Sequence, residues 1–148
     1  MTELVFFEVP RGAYDILRAA LEQADLPTGD LDQPGRLFFG LSDDKSLIGF
    51  IGLEGEGPDR LVRSLVVLPS RRGSGLGSTL VGRLEAMLPR DVERLHLLTR
   101  TAAPLFRQLG YVDAERSTAP TNIASTEQFV SLCPANAAYL VKTLDRFA

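Results

Sequence analysis

The sequence predicts an α+β protein: a mixed, mostly antiparallel sheet flanked by helices, with a parallel pair of strands at its centre. Two observations predict this class. The first half reads as one strand, one helix and three strand-like runs separated by short turns. At mid-chain, an apolar strand, a glycine-rich loop, a helix and a second apolar strand follow one another, as in a right-handed unit that connects parallel strands. We expect one domain over residues 1–148, because this length suits a single core.

The first elements are a strand and a helix. Residues 4–8 form the predicted strand, and a helix is expected from Pro10, since proline is tolerated in a first turn. The helix should end at residues 25–29, where Asp-Leu-Pro-Thr-Gly breaks the pattern. Its apolar stripe at helical spacing consists of Ile16, Leu17, Ala20 and Leu21.

Three strands follow in an antiparallel meander. Residues 36–41 and 47–53 are apolar runs on either side of Ser-Asp-Asp-Lys, a composition typical of a hairpin turn. A second turn over residues 54–59 leads to the central strand, which we place at residues 61–68.

The second half begins with a helix over residues 75–88, which a proline ends. Residues 95–99 form a short apolar strand, the expected parallel partner of the central strand. A brief helix over residues 103–109 is closed by Gly110, a residue favoured just after a helix. Residues 111–115 are a further strand candidate.

The tail has weaker signals. Residues 117–122 read as a loop, and Ser-Thr-Glu-Gln at 125–128 resembles a helix start. Residues 137–144 fit a strand or a helix, and we favour a strand because the segment follows Cys-Pro-Ala-Asn. If exposed, this terminal strand could pair two copies of the chain, so a homodimer is a possible assembly.

The composition excludes several kinds of partner. A net charge of −3 gives no basic footprint for nucleic acid. No window reaches the roughly 18 apolar residues of a membrane span, and the N-terminus lacks the basic segment of a signal peptide. Cys133 is the only cysteine and His96 the only histidine, so neither a disulfide framework nor a metal site is expected. We expect a cytoplasmic protein, with His96 as a hydrogen-bonded sheet residue.

The stretch over residues 65–80 carries the clearest chemistry, because glycines before a helix start let backbone N–H groups surround an anion. A Walker phosphate loop needs a lysine, and none occurs between Lys45 and Lys142. A dinucleotide loop needs a third glycine where Ser78 stands. The remaining pattern, Arg-x-x-Gly-x-Gly, is met by Arg72, Gly75 and Gly77.

Two motifs resemble those of the GNAT superfamily of acyl-CoA N-acyltransferases. The first runs from Val-Val-Leu-Pro at residues 66–69 into Arg-Arg-Gly-Ser-Gly-Leu-Gly at residues 71–77. The second, Ala-Pro-Leu-Phe-Arg-Gln-Leu-Gly-Tyr at residues 103–111, looks like a short helix that ends in Leu-Gly-aromatic. The order of predicted elements fits this family along nearly the whole chain.

The resemblance implies that the chain binds an acyl-CoA, most often acetyl-CoA, and no metal. The pyrophosphate would lie on the loop amides, with charge-assisted contacts from the arginines. The pantetheine arm would pair with the main chain at residues 65–67, where the two parallel strands splay to admit the thioester. The donor-binding residues are therefore expected to be Leu65, Val66, Val67, Arg71, Arg72, Gly73, Ser74, Gly75, Leu76, Gly77 and Ser78.

Acetyl transfer to an amine also needs a proton for the leaving thiolate. In many members of the resembled family, a tyrosine in the second motif donates it, but Phe106 stands at that position here. Tyr111 is the candidate replacement, and the alternative is a sheet residue whose hydroxyl is hydrogen-bonded. Tyr139, Ser117 and Cys133 are alternatives that spacing does not separate.

The candidate base is Glu54, at the end of the strand beside the central one, with Glu56 as a second carboxylate. Because glutamates in turns are ordinarily exposed, the alternative is a solvated turn residue. Arg63 and Ser64 in the central strand are the candidate acceptor-binding residues. Arg63 could hold a carboxylate or other oxyanion of the substrate, or else reach the surface.

The tail resembles GNAT-like acetyltransferases encoded in bacterial arsenic-resistance operons, which implies a link to arsenic detoxification. One cysteine cannot supply the two or three thiolates that trivalent arsenic prefers, so this composition favours acetylation of a small organic amine over direct capture of arsenite. The matching positions are Arg116, Pro120, Ile123, Thr126, Gln128, Phe129 and residues 132–134.

Two functions stay open at this point, because the intact glycine loop argues against a third, a GNAT fold with a degenerate pocket that serves only as an interaction domain. The first is transfer of an acetyl group from acetyl-CoA to the amino group of a small molecule. The second is a non-catalytic GNAT-fold module that binds acyl-CoA and reports it to a partner. Phe106 and the absence of a clear base favour keeping the second.

Overall fold

The computed structural model describes residues 3–132 and 137–144. In this part of the chain the strands are β1 (Val5–Glu8), β2 (Arg36–Ser42), β3 (Leu47–Glu54), β4 (Asp59–Val67), β5 (Arg94–Thr99), β6 (Val112–Asp113) and β7 (Ala138–Thr143). The helices are α1 (Tyr14–Gln23), α2 (Leu76–Met87), α3 (Ala103–Gln108) and α4 (Thr121–Ala124). The strands form one sheet in the order β1-β2-β3-β4-β5-β7-β6.

The sheet is mixed, as predicted. β4 and β5 are parallel, with Asp59 opposite Arg94 and Leu61 opposite His96. β1 and β2, β5 and β7, and β6 and β7 are antiparallel. The predicted α+β class with a parallel strand pair is confirmed. The chain packs as two compact units, Met1–Leu53 with Ser64–Leu88 and Glu54–Arg63 with Pro89–Ala148.

The first unit buries one face of α1. Tyr14, Leu17 and Leu21 are buried at the spacing of one helical face. Tyr14 meets Phe38 of β2 edge to face, with 5.5 Å between ring centroids. The predicted apolar stripe is wrong at Ile16, which is 60% exposed. This position does not lie on the helical face that carries Tyr14, Leu17 and Leu21.

In the second unit, β7 is an interior strand. Leu140 of β7 pairs with Leu97 of β5, and Val141 pairs with Val112 of β6. The expected strand at residues 137–144 is confirmed. The idea that it is an exposed strand available to a second copy is wrong, because β5 pairs along the whole of one side and β6 covers Leu140 and Val141 on the other.

The end of α3 determines where β6 begins. The Tyr111 N–H donates to the Phe106 carbonyl at 3.0 Å, and Gly110 has a φ of 97°. This is the pattern in which a left-handed glycine closes a helix. Because Tyr111 is used to close α3, the predicted strand at residues 111–115 begins one residue later, and it spans only Val112–Asp113.

The tail departs most from prediction. The expected loop at residues 117–122 contains the start of α4, which begins directly after Pro120. A helical turn does follow the start predicted at residues 125–128, as a π-helical turn over Gln128–Leu132. Cys133 lies outside the described residues. Within those residues, none of the helices has the length and apolar character needed to span a bilayer.

Candidate active site

The glycine loop joins β4 to α2 within the first unit. A 3-10 turn, Pro69–Arg71, follows the strand, and Gly73 and Gly75 then adopt positive φ angles of 87° and 72°. Residues with a side chain rarely adopt such angles. A Cβ at either glycine would meet nothing within 4 Å, so the space beside this backbone is open.

Helix α2 starts without a side-chain cap. Its N-cap is Gly75, whose carbonyl accepts the N–H of Thr79 at 3.3 Å. The N–H groups of Leu76, Gly77 and Ser78 come before this bond and have no carbonyl within the helix to accept them. Together with the helix dipole, these donors form a site suited to a phosphate-sized anion.

Both arginines of the loop are held by the protein itself. The guanidinium of Arg71 forms an ion pair with Asp43 and donates to Ser46 Oγ at 2.9 Å. Arg72 Nε donates to the Val67 carbonyl at 2.9 Å. The loop therefore offers its backbone amides as phosphate donors, while phosphate contacts from Arg71 and Arg72 stay predictions.

Strand β4 contains a conformation that sequence reasoning missed. Ser64 has a φ of 59°, in the left-handed region that residues with a side chain seldom adopt. Strain of this kind costs about 1–3 kcal/mol and is often found at functional sites. No sequence signal marks the position, because serine is not a residue that such a backbone favours. Val66, two residues later, is buried, and Leu65 and Val67 are partly exposed.

The second unit pairs two of the predicted site residues. Arg63 Nη1 donates to Glu54 Oε1 at 2.9 Å, and the residues are 4% and 5% exposed. The alternatives of a solvated glutamate and a surface arginine are therefore excluded. β3 extends through Glu54 and buries it, whereas Glu56 lies in the following turn and is exposed.

A second buried cluster surrounds His96. Its Nε2 lies 2.7 Å from Asp59 Oδ1, and its Nδ1 lies 2.7 Å from the Tyr139 hydroxyl. Arg94 donates to the same carboxylate, from Nε at 2.7 Å and from Nη2 at 3.1 Å. We assign a neutral imidazole that donates from Nε2 to Asp59 and accepts the Tyr139 hydroxyl proton at Nδ1. The expected hydrogen-bonded sheet histidine is confirmed, although none of its partners was predicted.

The cluster shifts the pKa of three of its groups. Burial lowers the pKa of His96, and the hydrogen bond that His96 donates to Asp59 offsets only part of this effect. Burial would raise the pKa of Asp59, but the hydrogen bonds from Arg94 and His96, together with the charge of Arg94, lower that pKa overall. Burial and the charge of Asp59 raise the pKa of Tyr139 to about 12.

The lowered pKa of His96 makes stability depend on pH. Below pH 6.5 the unfolded chain takes up a proton on this residue, while the folded chain stays neutral down to its lower pKa. We expect the free energy of unfolding to fall between pH 7 and pH 5.5, by less than about 1.4 kcal/mol per pH unit. Urea titrations at the two pH values measure this, and His96→Gln should remove most of the difference because the chain has one histidine. An undiminished pH dependence in that variant would contradict the assignment.

Tyr111 lies in the core of the second unit. It is 1% exposed, and its ring centroid lies 5.1 Å from that of Phe106, which is 2% exposed. Lys142 Nζ lies 5.5 Å from the centroid of the Tyr111 ring. Phe106 thus contributes to the closure of α3, and the acid role of Tyr111 stays a prediction. Across the described residues, no three His, Cys, Asp or Glu side chains are grouped so that they could hold a metal ion.

A sequence model of the acetyltransferase (GNAT) domain matches residues 34–113. This match covers more than half of the chain. The chain belongs to the GNAT acetyltransferase family. The matched segment contains the glycine loop and α3, so both GNAT motifs identified in the sequence lie inside it.

Solved structures of GNAT proteins share the fold. N-acetylglutamate synthase from Neisseria gonorrhoeae, solved with coenzyme A and N-acetyl-glutamate, aligns with a TM-score of 0.80 and 19% identity, over 99% of this chain and 36% of that chain. A GNAT-family acetyltransferase from Staphylococcus aureus aligns with a TM-score of 0.75 and 13% identity, over 97% of this chain and 100% of that chain. An aminoglycoside 6′-N-acetyltransferase solved with coenzyme A has a TM-score of 0.69 and 18% identity, over 94% and 96% of the two chains.

These identities establish the GNAT fold and not the substrate. The chain spans little more than a third of the N-acetylglutamate synthase chain that it matches. No curated protein sequence matches the chain.

Proposed function

We propose that this GNAT protein transfers the acetyl group of acetyl-CoA to the amino group of a small molecule. The observation that carries the proposal is the open row of N–H groups at Leu76, Gly77 and Ser78 behind two glycines with positive φ. The pyrophosphate of coenzyme A fits these donors, and the open space beside Gly73 and Gly75 leaves room for its oxygens. Related structures solved with coenzyme A support the choice of donor.

The donor site is tested by Gly75→Val. A branched side chain is strained at a φ of 72° and occupies the open space, so we expect the dissociation constant for acetyl-CoA to rise at least tenfold, about 1.4 kcal/mol or more. Isothermal titration calorimetry measures it. The matched control is Gly57→Val, since Gly57 has a φ of 76° and open surroundings but lies in the turn before β4. Equal affinities in wild type and Gly75→Val would reject the loop as the pyrophosphate site.

For the acceptor, we propose that Glu54 takes the proton of the attacking amine and that Arg63 and Ser64 contact the substrate. Glu54 and Arg63 bring a negative and a positive charge together in a buried place. Breaking such a pair is costly unless new partners replace both. A small molecule with an amino group and a carboxylate offers a new partner to each residue, the amino group to Glu54 and the carboxylate to Arg63. Acceptors of the amino-acid type therefore fit best. The structure of the Neisseria enzyme with N-acetyl-glutamate supports this class.

A panel of amines tests the acceptor by the release of free thiol from acetyl-CoA. It should pair each amino acid with the matching amine that lacks the carboxylate, and include arsenic-containing amino acids. We expect turnover for the carboxylate-bearing members.

The arsenic link rests on the resemblance of the tail alone, and the cytoplasmic location and the homodimer are likewise still predictions from the sequence.

The second candidate function is a non-catalytic sensor of acyl-CoA. Two observations favour it: Phe106 has no hydroxyl to donate, and the carboxylate of Glu54 is already paired with Arg63. The same panel separates the two functions, because a sensor binds acetyl-CoA in calorimetry and releases no thiol with any amine.

A further inference from the structure

We propose that Asp43 is a positioning residue for acyl-CoA: it holds Arg71 and thereby fixes the start of the glycine loop. The inference rests on the proposed donor site and adds a residue from the turn between β2 and β3, 28 positions earlier in the chain. It assigns Arg71 a role different from the phosphate contact that its place in the motif suggests.

The turn that carries Asp43 is well defined. Asp43 Oδ1 accepts the N–H of Lys45 at 2.9 Å and that of Ser46 at 3.0 Å. The Asp43 N–H donates to the Ser46 carbonyl at 3.1 Å. Aspartate and asparagine commonly bond to their own backbone in this way, which fixes the direction of the side chain. The carboxylate is therefore oriented before it meets any partner outside the turn.

Arg71 is fixed on this turn by several bonds. Its Nη2 donates to Asp43 Oδ2 in a short contact, and its Nη1 donates to Asp43 Oδ1 at 3.3 Å and to Ser46 Oγ at 2.9 Å. A planar guanidinium bonded to both carboxylate oxygens has a defined orientation, unlike an arginine that reaches freely into solvent. The Arg71 and Asp43 side chains are 21% and 6% exposed.

These contacts fasten the chain just before the loop. The Leu68 N–H donates to the Ile48 carbonyl at 2.8 Å, and the Arg71 N–H donates to the Leu68 carbonyl at 2.8 Å. Gly73 and Gly75 follow, and glycines leave the backbone free to adopt many conformations. An anchor at Arg71 limits that freedom, so less conformational entropy is lost when the loop amides close around an anion.

The charges agree with this role. The hydrogen bond to Arg71 holds the pKa of Asp43 well below its usual range, and Asp43 raises the pKa of Arg71. Both groups are therefore ionised at neutral pH, and each neutralises the other. Arg71 adds little net positive charge to the loop, so its contribution to anion binding is the geometry of the segment that follows it.

Asp43→Asn gives the decisive test, because positioning and direct phosphate contact predict opposite results. Asparagine keeps the side-chain oxygen that accepts from Lys45 and Ser46, so the turn survives while the ion pair is lost. We expect the dissociation constant for acetyl-CoA, measured by calorimetry, to rise about tenfold in Asp43→Asn and in Arg71→Met. The double variant should be no weaker than either single variant, since the two changes remove one interaction.

The matched control is Asp44→Asn, which removes the same charge from the same turn at an exposed residue and should change the affinity less than about twofold. Ser46→Ala removes one bond to Arg71 and should weaken binding in the same direction, by less. In turnover, the KM for acetyl-CoA should rise with kcat unchanged, whereas a loss of folded protein would lower kcat.

Two outcomes overturn the inference, and they are distinguishable. If Asp43→Asn binds acetyl-CoA as tightly as wild type or more tightly while Arg71→Met binds less tightly, Arg71 contacts the phosphate itself and Asp43 only competes for it. If wild type does not bind acetyl-CoA, the proposed function fails and this inference fails with it.

Discussion

Replacing Gly49 with alanine is expected to lower the free energy of unfolding by about 3 kcal/mol and to weaken acetyl-CoA binding as well. A Cβ at Gly49 would lie 2.2 Å from the Val66 carbonyl oxygen and 3.1 Å from Val67 Cα. A flexible side chain could move away from such a clash, but these are backbone atoms of β4. The strand must therefore shift, and it must do so at two of the three residues whose main chain is predicted to pair with pantetheine.

Gly82→Ala is the matched control for Gly49→Ala. Gly82 lies on the exposed side of α2, and a Cβ there would meet nothing within 4 Å. Alanine favours a helix over glycine, so we expect this variant to gain about 0.5–1 kcal/mol of stability. Urea unfolding and calorimetry with acetyl-CoA on both variants separate the effects. If Gly49→Ala were as stable as wild type, the close approach of β3 to β4 would be refuted.

Elements with strong local signals could be predicted from the sequence. The helix expected at residues 75–88 is α2, Leu76–Met87, with Gly75 and Leu88 as its caps. Periodic apolar residues, a glycine before the helix and a proline after it are all local signals. The tail lacked them: α4 has four residues, and the turn after it is π-helical, a rare form without a sequence signature.

The candidate site could be predicted only where its residues are close together in the sequence. The loop glycines and the helix start are contiguous in sequence, so the motif could be recognised. The paired polar groups are not contiguous: Glu54 and Arg63 are 9 positions apart, and His96 and Tyr139 are 43 apart. Such contacts depend on which strands become neighbours, and this is set by the packing of the whole sheet. The sequence therefore identifies Glu54 and Arg63 as candidates, but it does not predict that they pair with each other.

Loss of the Glu54 carboxylate is expected to have the largest effect on turnover. In Glu54→Gln the side-chain oxygen still accepts the hydrogen bond from Arg63 Nη1, so the fold should be kept. The amide cannot take a proton from the amine, and kcat/KM should fall by about a hundredfold or more. Thiol release with the best acceptor of the amine panel measures this. Glu56→Gln is the matched control, since that glutamate is exposed two residues later and should leave turnover unchanged.

The same residue has a structural role, and Glu54→Ala reveals it. Truncation removes the partner of a buried guanidinium, and breaking a buried ion pair in this way costs about 3–5 kcal/mol. Glu54→Gln should retain most of that stability because its amide oxygen remains. Full turnover in Glu54→Gln together with a large loss of stability in Glu54→Ala would mean that Glu54 only holds Arg63 in place and is not the base.

Tyr111→Phe, assayed alongside, keeps the ring contact with Phe106 and removes only the hydroxyl proposed as the acid. A fall in kcat that occurs in Glu54→Gln and Tyr111→Phe, while acetyl-CoA affinity is unchanged in both, is the result that supports Glu54 as the base and Tyr111 as the acid.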